Sequence, residues 1–307
     1  MTRYQNGIID LSQEMDFSAL RESIEILLNK YEFMECEYLG KSVLGRPIPM
    51  LKLGCGRAKF LYIGAHHGME RITSAVLLRF ADEYGNLVKN KGNIYRISAS
   101  YLFGAATVYL LPMLNPDGVE ISLHGNGSDL LSERRLKYNQ QSDDFSHWQA
   151  NARGVDLNHN YDCGFYEYKK LESEMGLFDG APTKYSGVAP ESEPETSALC
   201  NFIRYHGDIR MLLTLHTQGE EIYSGCTEHI PRSNAIGKVI EKMTGYKRVT
   251  PTGTAAYGGL TDWFTREFMR PAYTLECGLG ENPLPPSDLD LIYGKLRKTL
   301  FSFPIIK

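Results

Sequence analysis

Residues 59–85 read KFLYIGAHHGMERITSAVLLRFADEYG. KFLYIGA is a short apolar run, as expected of a strand buried on both faces, and RITSAVLLRFADEYG carries apolar residues at helical spacing. Between the two stand adjacent histidines, His66 and His67, with Glu70 where the helix opens. A strand that feeds a helix through a polar turn is an α/β unit. Its turn lies beyond the carboxyl end of the strand, where ligands of open α/β sheets gather.

The same alternation extends along the chain. TVYLLPML (107–114), IRMLLTLHT (209–217) and PAYTLECG (271–278) read as strands. FSALRESIEILLNKY (17–31), PESEPETSALCNFIRYH (190–206) and NAIGKVIEKMTGY (234–246) read as helices, the second with acidic residues at its start. CEYLGKSVLGRPIPMLKLG (36–54) alternates around a Gly-Arg-Pro turn like a hairpin. Residues 124–152 are polar and poor in apolar periodicity and read as a long surface excursion, a class of loop that usually carries function. The expectation is an α/β fold in one domain spanning residues 1–307, with the helix and hairpin of residues 1–54 packing on it.

With 33 basic and 37 acidic residues and a net charge of -4, the chain has no bulk field to attract nucleic acid or an anionic membrane, so small or neutral substrates are expected. The N-terminal residues have no apolar signal core, and nowhere do about 18 apolar residues run together, so the expectation is a soluble cytoplasmic protein. Cys36, Cys55, Cys163, Cys200, Cys226 and Cys277 are spread singly, which suits buried reduced thiols better than a disulfide frame or a thiolate metal cluster. Any metal therefore sits on histidine and carboxylate.

A zinc hydrolase needs three protein ligands and an open fourth position. His66 or His67 after one strand, Glu70 at the start of the next helix, and His216 at the end of MLLTLH can meet at the carboxyl edge of one sheet. At this level the choice between the two adjacent histidines is open.

Six stretches in order then carry a resemblance: HGMERIT (67–73), NPDG (115–118), GVDLNHNYDCGF (154–165), LHT (215–217), GGLTDWF (258–264) and YTLECG (273–278). The chain resembles the zinc carboxypeptidase family over nearly its whole length. The resemblance implies a single-domain α/β fold with a mixed twisted sheet flanked by helices, one zinc ion per chain on His67, Glu70 and His216, and Glu276 as general base. His66 becomes a neighbour of the site. These roles suit the chemistry: zinc makes its water nucleophilic near neutral pH and polarises the scissile carbonyl, while a carboxylate takes the water's proton and passes it to the leaving amine.

The departures from the family are as informative. Members that trim protein C-termini hold the substrate carboxylate with an Asn-Arg pair, which here is Asn158 and His159; histidine lacks the permanent charge and fork of a guanidinium. Thr254 stands where the capping tyrosine is expected, with Tyr257 immediately before the Gly-Gly pair, and Thr261 occupies the position that sets side-chain specificity. Gln149 follows Trp148 in place of the arginine that polarises the carbonyl, Met69 replaces the arginine of the zinc motif, and Arg153 is the nearby candidate for the electrophilic role, with a surface salt bridge as its alternative. Together these changes resemble the bacterial branch that cleaves the γ-D-glutamyl to diaminopimelate bond of murein-derived peptides. The alternatives are a carboxypeptidase on ordinary peptide C-termini, an N-acyl amino acid deacylase of the aspartoacylase or desuccinylase type, and a silent binding protein on the same fold.

Overall fold

In the computed structural model, which describes residues 7–225 and 230–306, residues 59–85 form a strand, a turn and a helix. The strands are β1 (Glu35–Lys41), β2 (Pro47–Leu53), β3 (Ala58–Ile63), β4 (Asn93–Ile94), β5 (Ile97–Ser98), β6 (Ala106–Leu111), β7 (Ile209–His216), β8 (Glu221–Ser224), β9 (Lys247–Val249) and β10 (Ala272–Glu276). Apart from the small β4–β5 ribbon they make one eight-stranded sheet in the order β1-β2-β6-β3-β7-β10-β8-β9. The inner strands β6, β3, β7 and β10 are mutually parallel, while β2 joins β6 and β8 joins β10 in antiparallel fashion. The sheet is therefore mixed, and the β1–β2 hairpin continues it through β2.

Helices α1 (Phe17–Lys30), α2 (Ile72–Lys89), α3 (Ala99–Ala105), α4 (Pro116–His124), α5 (Ser132–Tyr138), α6 (Phe165–Glu174), α7 (Pro194–Tyr205), α8 (Ser233–Thr244), α9 (Leu260–Phe268) and α10 (Leu289–Ser302) cover the sheet. Strand residues alternate between two cores, because successive side chains of a strand point to opposite faces. Phe60, Tyr62, Val108, Leu110, Leu213 and Tyr273 enter the core under α1, α2, α8 and α10. Leu61, Ile63, Tyr109, Leu111, Leu212 and Ala272 enter the one under α7 and α9. Burial on both sides explains why these strands read as continuous apolar runs.

Residues 124–152 differ from the expected surface excursion. They contain α5, and Arg135, Phe145, Trp148 and Ala150 are buried, packed with Ile121 and Tyr138 or bonded locally. Arg135 spends its guanidinium on Asp129, Asn126 and the Ala152 carbonyl, so a charged residue sits in an interior that composition marks as surface. The cysteines also differ in part. Cys200 and Cys277 are buried, but Cys36 and Cys163 are half-buried and Cys55 is exposed; all five are free thiols, and Cys226 lies outside the described residues. Among the described residues no helix is long and apolar enough to cross a membrane.

Candidate active site

The parallel strands β3, β7 and β10 all end at one edge of the sheet. Beyond β3 the chain makes a short bend, with His67 in extended conformation capping a single 3-10 turn, Gly68–Glu70. That turn lies directly on α4 and on the end of the 124–152 segment. A Cβ on Gly68 would stand 2.1 Å from the Gly118 carbonyl oxygen and 2.8 Å from that of Trp148, so only glycine fits. The amides of Gly68 and Met69 donate to the carbonyls of Gln149 and Trp148, each at 3.0 Å. Asn115, which caps α4, donates from Nδ2 to the His66 and Gln149 carbonyls at 3.0 and 3.2 Å. NPDG and the Trp-Gln pair thus build the floor beneath the bend.

On this floor three side chains converge. His67 Nδ1 lies 2.8 Å from Glu70 Oε1, and His216 Nδ1 lies 3.0 Å from Glu70 Oε2 and 3.3 Å from His67 Nδ1. Asp156 lies 3.1 Å from His67 Nε2. Its carboxyl is buried, which opposes ionisation, but His67, His159 and the Lys184 amide hold it well below the usual carboxylate range. Being ionised, it only accepts, so Nε2 carries the proton and the Nδ1 lone pair faces Glu70 and His216. Burial works against charge on Glu70 too, yet the two histidines bring its carboxyl down to about 2. Three electron-rich atoms in one pocket repel unless a cation or a proton lies between them. Against the effect of burial, Glu70 and Asp156 accordingly raise the His67 pKa well above its ordinary value. Glu70 Oε2 is moreover buried without a well-formed hydrogen bond. Two imidazole nitrogens, a carboxylate oxygen and an open side are the donor set zinc takes in hydrolases.

His66 stands three residues beyond the end of β3 and has other partners. Its Nε2 and Nδ1 are directed to Tyr161 Oη (3.0 Å) and Thr214 Oγ1 (3.3 Å), and its ring stacks on His216 with centroids 5.1 Å apart. Burial, then the neighbouring His216 and His67, keep it neutral, with a pKa well below the ordinary value. It buttresses His216.

Glu276 ends β10 directly opposite His216 of β7 in parallel register, so both side chains leave the sheet on the same face. Burial, and next the charge of Glu70, push its carboxyl well above the ordinary range. A carboxyl raised in this way binds a proton more strongly than a free carboxylate does, as a proton-transferring group must.

The remaining sequence-predicted residues divide. Asn158 Oδ1 accepts from the Leu260 amide at 3.2 Å and so anchors the start of α9, where Thr261 is buried. His159 stacks flat on Tyr168, ring centroids 4.2 Å apart, and its Nδ1 lies 2.9 Å from the Tyr257 carbonyl. Nδ1–H is therefore the donor, Nε2 is left as an acceptor, and burial lowers the pKa so that the ring is neutral. Tyr257 contributes that carbonyl. Arg153 is not brought to the cluster: its half-exposed guanidinium lies 3.4 Å from Glu193. Asp156, Asn115, Tyr161 and Tyr168 support the site although the sequence reading assigned them no role; Asp156 and Tyr161 lie within the GVDLNHNYDCGF stretch, and Asn115 opens NPDG.

The zinc carboxypeptidase family model matches residues 22–295 of this chain. The chain belongs to the zinc carboxypeptidase family. A relative from Lysinibacillus sphaericus, gamma-D-glutamyl-L-diamino acid endopeptidase 1, is 32% identical over 288 residues, covering 93% of this chain and 71% of that protein. Among solved structures, thrombin activatable fibrinolysis inhibitor superposes with a TM-score of 0.71 at 19% identity over 96% of this chain and 74% of that one. The murein-tripeptide amidase MpaA from Escherichia coli O157 superposes with a TM-score of 0.53 at 19% identity over 87% of this chain and 91% of that one. The protein is thus a zinc metallopeptidase of carboxypeptidase-like fold, and the His67, Glu70 and His216 cluster fits its metal.

Proposed function

We propose that this zinc peptidase hydrolyses the amide bond between a γ-D-glutamyl residue and a diamino acid such as diaminopimelate in murein-derived peptides. The observation that carries the reading is the 32% identity, over 93% of the chain, to a gamma-D-glutamyl-L-diamino acid endopeptidase. The character of His159 supports it. A neutral ring with its Nδ1–H held by Tyr257 offers a lone pair in the place of a fixed cation, which favours an amine-bearing residue over a bare chain-terminal carboxylate.

In this proposal His67, Glu70 and His216 hold the zinc, which polarises the scissile carbonyl and lowers the pKa of water at the site. Asp156 keeps His67 in the tautomer that presents Nδ1. Glu276 accepts the proton of the attacking water and delivers it to the departing amine. Asn158, His159, Tyr257 and Thr261 shape the wall that receives the leaving residue, whose polar end suits Thr261. Arg153 has no part in this scheme.

Incubation of the zinc-loaded enzyme with L-alanyl-γ-D-glutamyl-diaminopimelate, with mass readout of the cleaved bond, is the test. Release of free diaminopimelate is expected, with ordinary peptides of free C-terminus cut much more slowly. Efficient release of C-terminal amino acids from ordinary peptides, or of acyl groups from N-acyl amino acids, with the γ-glutamyl bond intact, overturns the substrate assignment.

A further inference from the structure

We propose that the cavity beside Arg153 is a second binding site, which takes a small monocarboxylate with an apolar body. The cavity has a volume of about 300 Å³ and is lined by Arg134, Arg153, Val155, Tyr185, Val188 and Glu193 among others. This is the lower end of the range that holds small ligands. Its lining is continuous with the support of the proposed metal site: Val155 directly precedes Asp156, and the Asp156 amide donates to the Tyr185 carbonyl at 2.7 Å.

The charges around the rim select the ligand. Arg134 is exposed and has no ion partner among the described residues. Arg153 has only the 3.4 Å contact with Glu193, and its side chain is 49% exposed. Glu193 does not depend on that contact, because Asn151 Nδ2 at 2.8 Å and Ser192 Oγ at 3.0 Å already donate to its two oxygens. The guanidinium can therefore turn to a ligand without stranding a buried carboxylate. The other acid on the rim, Asp179, is paired with Lys137 at 3.2 Å. One cation is left uncompensated and a second is loosely held, so one negative charge is favoured. Glu193 and Asp179 would repel the further charge of a phosphate or dicarboxylate. Val155, Val188 and Tyr185 supply the surface for an apolar body, and a forked guanidinium matches a carboxylate.

The probes are N-acetyl-leucine and its carboxamide, titrated into the zinc-loaded protein labelled with ¹³C at valine and leucine methyls. The Val155, Val188 and Leu131 methyls are expected to shift saturably with the acid, the carboxamide binding about ten-fold more weakly. R134Q and R153Q are each expected to weaken the acid several-fold while the rest of the methyl spectrum stays that of the folded protein. Leu260, whose amide donates to Asn158 of the proposed active-site wall, separates the two sites. Shifts confined to Leu260, equal affinity for acid and carboxamide, affinity unchanged in both variants, or no saturable shift up to roughly 10 mM, an affinity of only a few kcal/mol, overturn the proposal.

Discussion

In the proposed metal site, His67 depends on a residue outside the ligand set. Asp156 accepts the hydrogen bond of the His67 Nε2–H, and it also accepts the Lys184 amide at 2.9 Å and the Asn158 amide at 3.2 Å, so it ties three pieces of chain together. Asp156→Asn removes the charge and leaves one oxygen for these donors. Zinc affinity is expected to fall roughly 10- to 100-fold, the usual effect of losing such a partner, as measured by competition with a calibrated chelator. Glu276→Gln is the complementary case. The amide cannot accept a proton, so turnover is expected to drop about 10²- to 10⁴-fold with zinc content at one per chain. A variant that loses zinc along with activity would place Glu276 among the metal supports instead.

At the scale of elements, the 3-10 turn carrying Glu70 is held by contact rather than by propensity. It is three residues long and pressed between α4 and the Trp148–Gln149 backbone. Gly68→Ala forces a methyl against the Gly118 carbonyl, and overpacking of this kind typically costs about 1–3 kcal/mol. Denaturant unfolding is expected to report that loss, and metal analysis a reduced zinc content, because the turn moves Glu70 with it. The strands and long helices around the turn were legible in the sequence, since burial on two faces makes apolar runs and burial on one makes a 3.6-residue period. The 124–152 segment was not. Its interior is built on Arg135 satisfied by Asp129 and Asn126, and a polar residue with all its partners in place leaves no apolar pattern.

For the whole molecule, metal and protonation both bear on stability. In the proposed site zinc is held by the folded cluster and not by the dispersed ligands, so at 1,000 times its dissociation constant it adds about 4 kcal/mol, and chelation is expected to lower Tm by several degrees in a thermal scan. Glu195 acts oppositely to a paired carboxylate. Burial raises its carboxyl to about 7, against the hydrogen bonds it accepts from its own amide and that of Val43, and Asn151 Nδ2 donates to it as well. The folded state thus holds a proton that the unfolded chain releases near its ordinary value of 4.5, so this contribution, on the order of 3 kcal/mol at most, is full below that value, declines as pH rises above it and is gone once pH has passed about 7. Denaturation at pH 5 and pH 8 is expected to show that fall, and Glu195→Gln to flatten it; an unchanged slope would put the titrating group elsewhere. By itself the sequence determined the α/β class, the ordered motifs and the metal-binding residue types, because these rest on periodicity and chemistry that are local to each segment. Only the tertiary structure turns His66 to Tyr161, turns Arg153 to Glu193 and makes His159 an acceptor. Each of those outcomes depends on which distant group, Tyr161, Glu193 or the Tyr257 carbonyl, the fold brings within hydrogen-bonding distance.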